Sequence, residues 1–521
     1  MNRQDSTDYQ QILGALRYIL FFAACSLCLQ GCVVPSQVSR TLQELNPSLQ
    51  KSSLQNTPRQ TTEPVSYYAG YSKKYVPYRE KLAAGDTESV MRMMEAEENK
   101  IKSKDDSTLA SKLRLVGLME RASLSLQLGK PDKTLTYCRL GQDLIEERER
   151  ESILKGGIYS LGSIGADFFG AGEYGRYNAP GYEKVMFLDL ASMAYLLKGD
   201  DRAFNIARLA IEWQDDEKEK FAAELENEIK DKGDTKKELD TNQKRNSERL
   251  FSALNDEFSK YNSAALSVPN AFVNPFGDYI TGMVNEFKSV KLKSLVSNAH
   301  IAYKQALRLN PNSAVLKQAV KDTKARKPVN RLIHVVALDG FVPEKKVLSI
   351  PIDENIDVEL PTYTPITSRV SKIKVMTSSN KTLATLSLVA DVEALALRHQ
   401  KDSLPYIQTM VLTSVLRDTA MVATGNALMS GLGGLVKSFT DSSQEPDTTS
   451  WMTLPSTVLA ARIYAPKGLK TLKVRSYNSQ NKMIAEKIIK LNEGGQHFVL
   501  VRSINETLYA YPSKKIWSPK T

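Results

Sequence analysis

The chain has 521 residues, 42% of them hydrophobic and 25% charged, with a formal net charge of +11. That composition excludes a wholly disordered or collagen-like chain, and at roughly 150 residues per domain the length suggests two or three domains. The basic excess is interspersed with acidic residues; it reads first as a solvated surface, second as attraction to anionic lipid headgroups or an acidic cell-wall polymer.

Residues 1–17 are mostly polar and include Arg3 and Arg17. The apolar run from Tyr18 to Gln30 is about 13 residues, short of the ~20 that a membrane-spanning helix needs, so it reads as the core of a signal peptide. It ends in Leu29-Gln30-Gly31-Cys32, which resembles a bacterial lipobox, whose cysteine is acylated and becomes the first residue of the mature protein. The resemblance implies a signal peptide over 1–31, a covalent lipid on Cys32 with no other cofactor or metal, and the membrane as a partner. A plain signal peptide and an uncleaved anchor are the alternatives. Val33, rather than aspartate, after the cysteine implies sorting to the outer membrane; the periplasmic face is the expected one, with the cell surface left open. Nucleic acid is not expected as a partner of an exported chain. With Cys25 and Cys28 removed and Cys32 acylated, Cys138 has no cysteine to pair with. Residues 33–65 are rich in Ser, Gln, Thr and Pro, and the lipidated cysteine and a flexible tether are expected to occupy 32–80.

Helical periodicity predicts an α-helical region over 81–327. The segment Ala299, Tyr303, Ala306 and Pro311 has the small-residue spacing of the second helix of a tetratricopeptide (TPR) repeat, with Tyr279 and Gly282 in the matching first helix. A second copy is Gly199 followed by Ala203, Ala207 and Ala210, in which Gly199 supplies the left-handed helix stop and the alanines share one face. A third, weaker copy runs through Gly129, Thr134, Cys138 and Gly141, which makes Cys138 a packing residue. Residues 213–250 are dense in charge and predict a solvated helix or helical hairpin. The glycine-rich stretch 153–181 predicts a packed irregular loop, and Tyr174, Tyr177 and Tyr182 there could line a groove.

From Pro328 on, short β-branched runs separated by turn residues predict a β-rich, sandwich-like domain over 328–521. Strands are expected at 331–338, 346–352, 371–376, 382–389, 458–464, 470–476, 483–490 and 497–501. Residues 391–440 read as an inserted long apolar helix, buried or amphipathic. The expected fold is thus α+β and multidomain.

No catalytic motif emerges. Gly431 to Ser438 nearly matches a phosphate-binding loop, but Val436 replaces its second glycine and no strand precedes it. His300, His334, His399 and His497 lack metal-ligand spacing. Tyr177-Asn178-Ala179-Pro180-Gly181-Tyr182-Glu183, Asn274-Pro275-Phe276 with Asp278-Tyr279, Asp391-Val392-Glu393-Ala394, Leu404-Pro405 and Asp447 to Pro455 together resemble a group of uncharacterised bacterial outer-membrane lipoproteins joining a TPR-like region to a β-rich part. The resemblance implies no reaction. The expected role is a non-catalytic, envelope-anchored scaffold or assembly factor that binds protein partners through its repeats, with a cell-wall- or lipid-binding carrier as the alternative.

Overall fold

The structure is a computed structural model and describes residues 64–101, 103, 105–154, 177, 179–230, 241–351, 357–404, 447–492, 494–515, 517 and 518. The signal segment 1–31, Cys32, the glycines between 155 and 176 with Tyr174, and most of the inserted helix lie outside the described residues. Among the described residues no helix is long and apolar enough to cross a membrane.

The chain enters through strand β1 (Val65–Tyr67) and helix α1 (Gly70–Ala83), where a tether was expected through residue 80. The correction has a simple cause: Tyr75, Tyr78 and Leu82 recur at helical spacing and are buried, and the Tyr71, Tyr75 and Tyr78 rings stack in succession at 4.7 and 5.3 Å. Such a stripe buries enough apolar surface to offset ordering entropy.

After α2 (Thr87–Glu98) come two helix pairs, α3 (Asp106–Gln127) with α4 (Pro131–Leu154) and α5 (Gly181–Lys198) with α6 (Ala203–Lys230). Asp105 caps α3 by accepting from the Thr108 N–H at 2.9 Å. Gly199 closes α5 at φ 69°, with Gly199 N–H and Asp200 N–H donating to Leu196 and Tyr195 carbonyls, so the chain reverses within a few residues. Of the charged stretch 213–250, residues 213–230 close α6 and 241–250 open α7 (Thr241–Ser259), and 231–240 lie outside the described residues. Short α8 (Asn262–Ala265) precedes α9 (Pro275–Ser289), which pairs with α10 (Leu295–Leu309), followed by α11 (Ala314–Thr323).

The C-terminal half forms three sheets. A five-stranded sheet runs β12 (Thr507–Pro512), β11 (His497–Ile504), β2 (Leu332–Asp339), β8 (Thr457–Tyr464), β7 (Ser387–Asp391). Its β2–β11 pair is parallel, with Val335 opposite Val499, and its other pairs are antiparallel. A four-stranded sheet runs β10 (Met483–Lys490), β9 (Thr471–Tyr477), β5 (Lys372–Thr377), β6 (Thr382–Thr385), and a three-stranded one joins β1, β3 (Glu344–Pro351) and β4 (Asp357–Thr364).

The central strand β2 is buried along its whole length, with its apolar run interrupted only by His334 and closed by Asp339. Ile333, Val335 and Ala337 pack on Ile373, Val375, Leu472 and Val474 of the four-stranded sheet, while Val336 and Leu338 join the core built by the helices. The result is three layers: helices, five-stranded sheet, four-stranded sheet. One core runs from Tyr75 through the helices into β2, β8 and β11 and on to Trp517.

Three differences from the sequence expectation are instructive. The run expected as one strand at 382–389 is two, because the chain leaves the outer sheet at Leu386 and joins β8 of the inner one. Strand β4 was missed because Pro361 argues against a strand; the structure resolves this by placing β4 at a sheet edge. Edge strand β12, half-exposed along much of its length, was missed as well.

Candidate functional site

The seam where the helices meet the five-stranded sheet holds a set of buried polar side chains, and it begins with residues whose type is wrong for their position. Alternation along β8 turns Arg462 toward the helices at 3% exposure. Helical spacing places Glu286 of α9 across from it. Arg462 Nη2 and Nε donate to the Glu286 carboxylate at 2.6 and 3.0 Å, and Nη1 reaches Asp322 and Tyr464. Tyr303 Oη donates to Glu286 Oε2 at 2.7 Å. His334 of β2 contacts the same carboxylate through Nε2 and Tyr279 Oη through Nδ1, both at 3.1 Å. The tautomer that satisfies both partners donates from Nε2 and accepts at Nδ1. Burial pushes the Glu286 pKa up, but the Arg462 guanidinium and the His334 hydrogen bond outweigh it and hold the carboxyl at about 2. Burial lowers the His334 pKa against the pull of the Glu286 carboxylate, which favours the neutral ring.

The second part of the seam is the loop from Asp447 to Ser456, which follows the inserted segment and threads against the helices. Glu120 of α3, fully buried, accepts from Met452 N–H at 2.6 Å and Thr453 N–H at 3.0 Å, and from the Thr453 hydroxyl. Ser123 Oγ and Gln127 Nε2 donate to the Thr453 carbonyl, each at 3.0 Å. Trp451 is fully buried, its ring edge-on to Phe187 of α5 at 5.9 Å. Lys345 Nζ donates to the Thr449 carbonyl at 3.2 Å, and Thr448 Oγ1 bridges the Ala69 carbonyl and the Ser72 N–H. Arg502 braces the far side, donating to Gln127 Oε1 and to the Leu338, Gly340 and Ser503 carbonyls. Burial raises the Glu120 pKa to about 8 against the pull of its donors and of Arg79.

Several of the separate segments singled out in the sequence converge here. Glu183 accepts from Tyr177 and Tyr182, its pKa raised to about 7 by burial, and the Tyr182 ring lies 6.4 Å from that of His399. Gln400 Oε1 accepts from the backbone of Tyr363 at 2.5 Å. Burial, with Lys345 nearby, lowers the His399 pKa to about 3.

The residues expected to pack the helix pairs are buried where that role requires. Ala203, Ala207 and Ala210 are at 2%, 0% and 0% exposure, and Ala299 and Ala306 are fully buried. The Tyr303 ring lies against Gly282 so closely that any added Cβ would overlap it. Pro311 is exposed in the turn between α10 and α11. Cys138 is buried and burial raises its pKa, with the thiol facing the Phe187 carbonyl. Sequence reasoning missed Glu120, Glu286 and Arg462. The available signal was charge within an apolar run, the Glu120-Arg121 pair between Leu115 and Leu126 and Arg462 within Val458 to Tyr464.

One buried group stands apart. Both carboxylate oxygens of Asp189 on α5 lack a hydrogen-bond partner, and burial together with the charge of Asp278 raises its pKa well above normal. Asp278 itself is raised to about 7, by burial first, with Lys218 opposing and Asp215 adding to it. A carboxyl raised in the folded state favours folding when protonated, so its contribution falls as pH rises from about 4 to 7. Asp278→Asn is therefore expected to leave stability at pH 4 unchanged and to raise it at pH 8 by on the order of 4 kcal/mol. Thermal melts at the two pH values check this, and an equal effect at both would refute it.

Among the described residues no group of His, Cys, Asp and Glu could hold a metal ion. Within the described residues, one hollow beside Trp517 and another beside Trp213 hold about 10 Å³ each, room for roughly one water. The arrangement holds a loop of the chain itself by its backbone, through Glu120, Ser123 and Gln127 of α3 and Lys345 of β3. Comparison with protein-family models, curated proteins and solved structures finds no match to this chain.

Proposed function

We propose that this chain is a lipoprotein of the bacterial outer membrane, held by a lipid on Cys32, that acts as a non-catalytic interaction scaffold built on TPR-like helix pairs. The observation that carries the reading is the grip on the loop from Asp447 to Ser456. Glu120, Ser123 and Gln127 line one face of α3 and satisfy both N–H and C=O groups of the turn at Met452 and Thr453, a backbone-directed grip of the kind a helical repeat face offers a partner segment. The segment gripped belongs to the chain itself. The face of the helices that could have received a foreign peptide is thereby filled by the loop and the five-stranded sheet, so partners meet the outward surfaces.

Two measurements test this. Crosslinking in intact cells followed by purification is expected to recover a stoichiometric envelope protein; repeated recovery of the chain alone would remove the scaffold reading. Cys32→Ala is expected to abolish fatty-acid labelling and leave the precursor uncleaved, and undiminished labelling would remove the anchor. The alternative, a cell-wall- or lipid-binding protein, is favoured by one observation, the distribution of positive charge on the outer sheet.

A further inference from the structure

Residues 372–385 and 467–490 build the four-stranded sheet and hold ten Lys and Arg residues against one carboxylate, Glu486, in a chain whose total excess is +11. The pleat sorts them. Ile373, Val375, Leu472, Val474 and Ile489 point into the sandwich, and the alternating positions Lys372, Lys374, Lys473, Arg475 and Lys490 point away from it. Glu486 pairs with Arg475. Neutral amides hold others of these cations: Lys473 and Arg475 donate to Asn380 Oδ1 at 2.9 and 2.8 Å and Lys372 to Asn481 Oδ1 at 2.7 Å. These bonds orient the cations without neutralising them.

Two ordinary explanations fall short. Lysines guard sheet edges against aberrant pairing, but Lys372, Lys374, Lys473 and Arg475 lie on the two central strands. A merely solvated face would mix its signs, whereas Lys374 sits directly opposite Arg475, a like-charge pairing that destabilises a sheet. The same sheet also exposes apolar side chains: Ile488, cross-strand neighbour of Lys473, is 56% exposed and Met483 at the start of β10 is 48% exposed.

We infer that the outer face of this sheet docks on a membrane surface bearing anionic headgroups, with the cations meeting lipid phosphates and Ile488 and Met483 entering the interfacial region. Basic groups near an anionic leaflet each strengthen binding, and exposed apolar side chains select a lipid surface over a soluble polyanion. The inference requires neither a lipid on Cys32 nor a protein partner. In an anchored chain it would fix how the body lies against the bilayer.

The test uses the full chain with Ile488→Trp, reconstituted on vesicles of phosphatidylcholine alone or mixed with phosphatidylglycerol, both carrying chain-brominated lipid. Indole quenching beyond that of the wild-type chain is expected on the anionic vesicles only, and it should decline with added salt as the Debye length shortens. Adding Lys374→Glu, Lys473→Glu and Lys490→Glu is expected to weaken docking by about a hundredfold or more, and the corresponding Lys→Gln variants, which spare the fold further, by less. Equal quenching on neutral and anionic vesicles, or none on either, overturns the inference. Binding of soluble polyphosphate without quenching on anionic vesicles overturns it too. Retention of the chain on vesicles reports the anchor separately, so failure of one reading is distinguishable from failure of the other.

Discussion

Arg462→Met is expected to destabilise the protein by about 3–5 kcal/mol, because it leaves the Glu286 carboxylate buried against Tyr303 and His334 without its countercharge. The pH dependence should change with it. In the wild type the Glu286 carboxyl is held at about 2, so it contributes stability above the unfolded value near 4.5 that is lost as pH falls toward 2. Without Arg462 burial dominates, the folded pKa moves above the unfolded one, and ionisation opposes folding. The stability gap between wild type and variant is therefore expected to widen as pH rises from about 3 to 6 in urea titrations. A gap independent of pH would mean that Arg462 acts through packing alone. The double variant Glu286→Leu with Arg462→Met should recover part of the loss, since no charge is then stranded, but not all of it while Asp322 and Tyr303 lack their partner.

Loss of the loop clamp is the second large effect. Glu120→Ala removes the acceptor of two backbone N–H groups and a hydroxyl, all buried, and is expected to lower stability by about 3–5 kcal/mol. Trp451→Ala removes a fully buried indole from the same loop and belongs in the same range, about 3–5 kcal/mol. The two are neighbours, so the double variant should lose less than the sum of the single ones. Native-state hydrogen exchange gives the sharper readout: in either variant the amides of Met452 and Thr453 are expected to exchange far faster than those of β2. Protection at these amides equal to wild type would show that α3 does not hold the loop.

These two expectations come from contacts spanning 176 residues in one case and about 330 in the other. Much of the local architecture, by contrast, was legible in the chain. Gly199 before Ala203, Ala207 and Ala210 announced a helix reversal and a tightly packed second helix, because a left-handed stop and a stripe of small side chains are short-range requirements. Strands β2, β8, β9 and β10 were visible through β-branched runs and their breakers. What hid β4 was its internal proline, and what hid α1 was its position next to polar residues, although its tyrosines already had helical spacing.

The outer sheet shows the boundary between the two kinds of information most clearly. Its lysines are spread through two stretches nearly a hundred residues apart and interspersed with apolar residues, so the sequence gives a diffuse positive excess. Pairing β5 with β9 in register brings Lys374 opposite Arg475 and gathers the excess on one face.

By itself, then, the sequence determined the helical first half, the β-rich second half and the packing of small residues between helices, all of which follow from local spacing and composition. Tertiary structure alone decided that the helices spend their inner face on their own chain, that Glu120, Glu286 and Arg462 are anchors rather than solvated charges, and that the basic excess has a direction. The physical reason is that burial of a charged group and the sign of a surface depend on which distant segments share a register, and periodicity along the chain reports only the face each residue takes within its own element.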